Sequence, residues 1–374
     1  MKRLTIPYYF WRAVFVVIMI AGMVATWLRI SRGLGGSTNL TDQFPWGIWI
    51  GFDILCGVGL AAGGFTLAAT VHIFNIERYK PIVRPAILTA FLGYLLVVFA
   101  LMYDLGRPDR IWHPLIMWNP HSVMFEVGWC VTLYTTVLAL EFVPVVLERF
   151  QWKRTLRWLR MVSLPIIIAG VILSTLHQSS LGSLYLIVPN KLYPLWYSPM
   201  LPVFFFVSAV SVGLAMTIFE SWHSSRAFGE ALEWPLVQGL SRALAVVLSV
   251  FLAMRVLDLL HRDAVSYLWI PRSETYLFWL ETLLFVIPMV LLFRGRLGPH
   301  GLYACALMVI FGFITNRLNV SITGMEASAG VVYIPRWSEI AVTLAIIALG
   351  FALFRFAAYE FPIFNGRGLK HHAA

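Results

Sequence analysis

The sequence predicts an all-α integral membrane protein of about ten transmembrane helices, and three observations carry that prediction. Of the 374 residues, 60 % are hydrophobic and only 12 % are charged, about half the charged share of an ordinary soluble domain. The apolar residues gather in runs of roughly 20 or more, the length that crosses a bilayer as a helix. Short polar loops between the runs hold most of the 28 Lys and Arg, as charge-directed membrane insertion requires.

The runs lie at about 9–30, 46–75, 85–105, 123–147, 159–178, 198–222, 235–260, 274–294, 301–320 and 339–360. The first follows Lys2, Arg3 and Arg12; it is too long, and lacks the small-residue cleavage site, for a removable signal peptide, so it reads as a retained helix. The second carries Gly57, Gly59, Gly63 and Gly64, small residues of the kind that let membrane helices approach closely. The third ends in "YDLGRPDR", the fourth opens with "SVMFEVGWC", and the fifth runs into "LSTLHQSSLGSLY". The seventh carries Arg255 and Asp258, the eighth Glu281, the ninth Arg317, and the tenth leads into a short polar tail, 361–374. No linker or low-complexity tract divides the chain, which reads as one membrane domain, 1–374. Cys56, Cys130 and Cys305 lie in apolar runs without CxxC spacing, a pattern that supports neither a disulfide framework nor a cysteine-held metal site.

An even number of spans puts both termini on one side. That side takes 18 of the 28 Lys and Arg, leaving 10 opposite, so the termini are expected in the cytoplasm and the other face outside. The net charge of +10 is therefore topological, and nucleic acid is not an expected partner. Trp46, Trp112, Trp118, Trp196, Trp269 and Trp337 fall near the outer helix ends, where an aromatic belt is expected. The spans show no clear pair of interrupted helices.

A charge at the bilayer centre costs roughly 2.5 to 3.5 kcal/mol, which makes ionisable residues inside spans functional candidates. Asp53, Asp104, Glu126, His177, Arg255, Asp258, Glu281 and Arg317 all fall in the outer half or at its boundary. Asp104 with Arg107, and Arg255 with Asp258, have the spacing of local ion pairs at a helix end. Glu281 and Arg317 are candidates to pair across helices. Glu126 has no base within a helical turn and reads as a lone buried carboxylate suited to proton exchange, unless a distant partner such as Arg255 holds it ionised. Asp53 gets the same reading. His177, Gln178, Ser179 and Ser180 offer hydrogen-bond donors and acceptors without fixed charge. A quinone needs such groups at its two carbonyls, an apolar cleft for its ring and tail, and a route for two protons. The bland alternative, that His177 and the serines cap a helix end and meet interfacial water, stands beside it. Haem ligation asks for two histidines at one depth, and only His72 and His177 lie within spans, at opposite ends. Nucleotide-binding and hydrolytic motifs are missing, so any electrons must come from another subunit.

The segments "FPWGIWIGFDILCGVGLAAGG", "RPAILTAFLGY", "YDLGRPDRIW", "SVMFEVGWC" and "LSTLHQSSLGSLY" followed by "LYPLWYSPMLPVFFF" resemble the NrfD/HybB family of membrane subunits over most of the chain. The resemblance implies two four-helix bundles plus extra helices and no haem or iron-sulfur cluster held by this chain. It implies a quinone, menaquinone foremost, bound near the periplasmic face of a bacterial inner membrane. It also implies a periplasmic ferredoxin-like iron-sulfur subunit as partner, linked to a [NiFe]-hydrogenase or a multihaem cytochrome c, with further membrane or cytoplasmic redox subunits as candidates. Such a subunit is not catalytic alone. The resemblance makes Glu126 a proton carrier and matches Asp104 and His177 to family motif positions. With the intramembrane placement of the ionisable residues, the quinone-site candidates are His177, Gln178, Asp104 and Arg107; the proton-transfer candidates are Glu126, Asp53, Asp258, Arg255 and Glu281, of which Asp53, Arg255 and Asp258 rest on that placement alone. Two other classes compete: a proton-conducting, transporter-like subunit without quinone chemistry, and a passive anchor, which has no need to bury Asp53, Glu126 and Glu281.

Overall fold

Inside a bilayer no water pairs with backbone N–H and C=O groups, so long apolar runs are held to structures that satisfy every such group internally. The computed structural model describes residues 8–187, 191–228 and 234–364. Among them it holds ten helices long and apolar enough to cross a membrane: α1 (Tyr9–Ser37), α2 (Trp49–Ile73), α3 (Glu77–Asp104), α4 (Val123–Phe150), α5 (Ser163–Leu186), α6 (Leu201–Ala227), α7 (Trp234–His261), α8 (Ser273–Arg294), α9 (Pro299–Ala329) and α10 (Trp337–Glu360). The described residues contain no strand. Lys2, Arg3 and residues 365–374 of the expected tail lie outside the described residues. The first residues of that tail are packed rather than solvated: Ile363 is buried against Leu88 and Phe142, and Arg84 donates to the Pro362 carbonyl at 3.0 Å.

The side on which α1 begins and α10 ends is called proximal here, and the opposite side distal. Helices α2 to α5 pack on one another in sequence order, as do α6 to α9, and α9 also packs on α6. Helix α6 joins the two groups by lying against both α2 and α5. Helix α1 lies along α10, and both touch α3. Lipid is as apolar as the helix faces, so close packing must supply the attraction between helices. At the α2–α6 crossing a Cβ on Gly213 would stand 2.9 Å from the backbone of Ala62 and Gly63, an approach open only to glycine.

Two spans are interrupted, contrary to the sequence expectation. Helix α2 begins with a π-helical turn, Trp49–Ile54, and α9 passes through another, Asn319–Thr323. The two turns meet: a Cβ on Gly51 would reach Ser321 Oγ at 2.5 Å. Hydropathy is blind to such turns because they change backbone pitch, not polarity. A π turn adds one residue to a helical turn and re-aims the side chains around it. The chain between α4 and α5 is also more ordered than a loop, since Lys153–Met161 forms a short helix with Trp158 and Met161 exposed beside its basic residues.

Of the tryptophans expected in a belt, Trp112, Trp118, Trp269 and Trp337 are exposed. Trp196 is not a belt residue. Its loop folds inward, burying Leu192, Tyr193, Leu195 and Trp196, and its indole donates to Glu281 at 3.0 Å. A buried carboxylate outcompetes interfacial water for that N–H.

Candidate functional site

Four polar clusters occupy the distal half. The first joins α1, α2, α3 and α10. The π turn of α2 turns Asp53 inward, where Thr343 donates to it at 2.8 Å. Glu339, fully buried, accepts from the backbone N–H of Arg336 at 2.8 Å and of Asn39 at 3.0 Å, and from the Tyr333 hydroxyl. Asp104 is near enough to act electrostatically on both Asp53 and Glu339. Three acidic side chains thus share a region whose cation is Arg29, which donates to the carbonyls of Tyr103 and Leu105 at 2.8 Å each. Tyr333 lies outside the spans; burial, then its bond to Glu339, pushes its phenol up, so it remains a donor.

Arg107 does not belong to this cluster. It pairs with Asp109 at 2.9 Å in the exposed loop, holding the Asp109 carboxyl below its usual range. Leu105 leaves helical geometry at the end of α3, and the chain then turns Arg107 into solvent. Asp104 keeps an Oδ1 with no hydrogen-bond partner.

The second cluster is Glu126 with Ser180, whose Oγ lies 2.5 Å from Glu126 Oε1 and 2.8 Å from the Leu176 carbonyl. One hydroxyl proton serves one acceptor at a time, so this pair has alternative proton placements, which is what a proton-exchanging pair requires. Glu126 is exposed, not buried as expected from its place one turn inside α4, because that turn faces away from the packed interior.

The third cluster lies between α2, α3, α4 and α5. His177, Gln178 and Ser174 are fully buried, and Tyr94 and Tyr134 are 1 % exposed. Gln178 donates to the Val58 carbonyl at 3.2 Å. Both ring nitrogens of His177, Gln178 Oε1, Ser174 Oγ and the hydroxyls of Tyr94 and Tyr134 have no partner within the chain. The Tyr94 ring stands between the others, with centroids 5.6 Å from His177 and 4.7 Å from Tyr134. Buried polar atoms are almost always paired, so six orphans in one place mark a site for water or a polar ligand.

His177 is also not at a helix end. Helix α5 continues to Leu186, which sets His177 roughly 14 Å inside it at 1.5 Å per residue. The hydroxyls that suggested an end serve the helix itself: Ser179 donates to Thr175 O at 2.9 Å and Ser183 to Ser179 O at 3.4 Å. Back-bonded serines need no interfacial water.

The fourth cluster centres on Glu281, fully buried. Arg255 pairs with it, and Asn316, Asn319 and Trp196 donate at 2.8, 2.9 and 3.0 Å. Four donors fill the acceptor sites of one carboxylate, so the geometry makes Glu281 a fixed charge and leaves no lone pair for a transferred proton. Arg317 does not pair with it directly. It donates to Asn316 Oδ1 at 2.7 Å, to Ser208 Oγ at 2.8 Å and to Phe205 O at 3.0 Å, and lies 3.6 Å over the Phe205 ring. Asn316 bridges the two charges.

Nor does Arg255 pair with Asp258. Asp258 instead accepts from Arg262 at 2.7 Å, one turn on, and from Ser198 at 2.6 Å. Arg262 also holds Pro194 O at 3.0 Å, which staples the inward-folded loop over α6. Of the sequence candidates, then, Asp53 and Asp104 share one cluster, His177 and Gln178 another, and Arg255 and Glu281 a third; Glu126, Asp258 and Arg107 stand apart. Glu339, Tyr333, Asn316, Asn319, Tyr94 and Tyr134 were missed. Polar residues three apart in an apolar span, as in Asn316 and Asn319, were the available signal.

Among the described histidines, His72 and His223 lie toward the proximal ends of α2 and α6, His300 at the proximal start of α9, His261 at the distal end of α7, and His113 and His121 between α3 and α4. His223 is engaged with the Tyr303 hydroxyl at 2.9 Å.

A family model described as polysulphide reductase NrfD matches residues 36–329. A protein of Nitratidesulfovibrio vulgaris is 40 % identical over 93 % of this chain and 92 % of its own. The probable Ni/Fe-hydrogenase 2 b-type cytochrome subunit of Escherichia coli K12 is 36 % identical over 90 % and 88 %. The menaquinone reductase integral membrane subunit of N. vulgaris is 27 % identical over 95 % and 91 %. The match runs through all three polar clusters built on α2 to α9 and most of the chain: this protein belongs to the NrfD family.

Proposed function

We propose that the chain is the quinone-reactive membrane subunit of a respiratory oxidoreductase complex. The observation that carries this reading is the set of orphaned donors and acceptors around His177, buried under the acidic group of Asp53, Asp104 and Glu339. A quinone ring fits that chemistry: the imidazole N–H of His177 or the Tyr94 hydroxyl would donate to one carbonyl, and Gln178 Oε1 would accept from the hydroxyl formed on reduction. Reduction of the quinone consumes two electrons and two protons. The electrons come from an iron-sulfur subunit docked on the distal face, and the excess of Lys and Arg on the proximal side supports a periplasmic setting for that face. Asp104, Asp53 and the Glu126–Ser180 pair supply exchangeable protons near that face. Glu281 and Arg255 fix the architecture behind it, and Asp258 anchors the covering loop. The relatives named for menaquinone reductase and for a hydrogenase support menaquinone as the quinone and a hydrogenase as the source of electrons.

A second reading, a proton-conducting subunit without quinone chemistry, draws on the paired π turns of α2 and α9, since broken helices are the habit of transporters. One experiment separates the two. The complex isolated through a tag on this chain is placed in liposomes, and electron transfer to menaquinone is followed together with internal pH for wild type and Glu126→Gln. The quinone reading expects menaquinone-dependent turnover in wild type and a loss of it in the variant with assembly intact. A pH change that persists without any menaquinone-dependent electron transfer would favour the second reading.

A further inference from the structure

A cavity of about 700 Å³ opens in the proximal half, between α3, α6 and α10, across the membrane from the clusters described above. Its volume is that of a small-molecule pocket. Its two ends differ. The inner end is walled by Leu92, Leu96 and Ile347, and the outer end carries Thr89, Glu220, His223 and Arg355. Phe219 and Phe351 flank the space between, and the exposure of Phe351 (67 %) opens the cavity sideways to lipid. Any occupant therefore has a polar head toward the proximal surface and an apolar tail toward the middle of the bilayer.

Glu220 says what kind of head. It forms no ion pair among the described residues. Thr89 lies beside its carboxyl in the cavity wall, and its buried Oε1 has no partner. The neighbouring base Arg226 is stacked 4.1 Å over Trp222, and Arg355 is exposed at the outer rim. A phosphate head would bring a second negative charge beside an unpaired carboxyl in a low-dielectric wall, where like charges repel strongly. A hydroxyl donor on a flat, uncharged ring would satisfy Oε1 and lie between aromatic side chains.

We propose that this cavity is a second binding site, on the proximal side, for the hydroxyl-bearing quinol class of ring-and-tail lipid, with Glu220 accepting from the ring hydroxyl. The choice of quinol rests on the quinone reading above. The site binds; no electron transfer is assigned to it.

The test uses the full chain in phosphatidylcholine nanodiscs, titrated with a fluorescent hydroxyquinoline N-oxide bearing a heptyl tail, whose emission is quenched on binding. Wild type is expected to bind two per chain. Glu220→Gln, which keeps the shape but weakens the acceptor, should weaken one site about tenfold or more. Leu92→Trp, which fills the apolar end, should abolish that same site. His177→Leu should remove only the other; two sites that both survive His177→Leu would refute the quinone reading while leaving this cavity in play. One site in wild type, or two that ignore both Glu220→Gln and Leu92→Trp, would overturn the proposal. So would native mass spectrometry showing a phospholipid that wild type retains and Leu92→Trp loses while both analogue sites persist.

Discussion

Glu281 and Arg255 form a buried ion pair, yet the structure predicts that losing one partner hurts far more than losing the other. Arg255→Gln removes one charge-assisted contact, worth about 1.5–3 kcal/mol. Glu281 then still accepts from Asn316, Asn319 and Trp196, so its charge stays solvated. Glu281→Gln leaves the Arg255 guanidinium, whose side chain is 11 % exposed, without a counter-charge, at about 3–5 kcal/mol. It also presents an amide N–H₂ to groups that are themselves donors, orphaning at least one more at about 1–3 kcal/mol. Taken at the middle of these ranges, the gap between the variants is about 4 kcal/mol, a large part of a typical stability of roughly 5–15 kcal/mol. Unfolding of the purified protein in nanodiscs, followed by tryptophan emission, measures it, and Trp196 reports from inside the network. Equal stabilities for the two variants, or a more stable Glu281→Gln, would refute the assignment of Glu281 as the hub.

Further outcomes follow from other contacts. Gly213→Ala should destabilise the α2–α6 crossing by about 1–3 kcal/mol, because its Cβ meets backbone that no rotamer change relieves; a thermal midpoint equal to wild type would contradict this. Ser180→Ala should lower quinone-dependent turnover while leaving the unfolding midpoint within experimental error, since the Oγ it removes serves Glu126 and one back-bond. Arg107→Ala should change neither turnover nor stability, its partner being exposed Asp109. Tyr333→Phe removes a donor to Glu339. The folded state raises that phenol, so its contribution is full below the unfolded value near pH 10 and is lost as pH climbs toward the folded value. The stability gap between wild type and Tyr333→Phe should therefore be constant around neutrality and narrow in strong alkali; a gap that widens there would reverse the sign of the argument.

The ten spans were legible because their apolar length is a composition signal, and the distal location of the polar residues followed from the same count of bases. Pairing was not legible. Arg255 sits three residues from Asp258 but reaches Glu281 on α8, since a side chain within a bundle chooses among neighbours on other helices as readily as along its own. The polar run His177 to Ser180 looked like a helix end because polarity and helix termination usually coincide; serines bonded to carbonyls a turn back break that link. Glu126 looked buried from its depth, yet burial depends on which way a helix face points, and a pattern apolar on all sides does not say. Glu339 escaped notice because it stands at the start of α10, where an acidic residue is ordinarily a cap. It is one, accepting from Arg336 N–H, and it is also a buried partner of Tyr333.

On the quinone reading, the orphaned polar atoms around His177 await the quinone ring. His177→Leu removes two ring nitrogens that bond nothing in the chain, so no protein hydrogen bond is lost. The direct measurement is menaquinone-dependent turnover of the isolated complex beside its unfolding midpoint, for wild type and His177→Leu. Turnover should fall by about tenfold or more, as expected when a group that bonds the reacting substrate is removed, with the midpoint unchanged. Normal turnover with a lowered midpoint would make His177 a structural residue and contradict that reading.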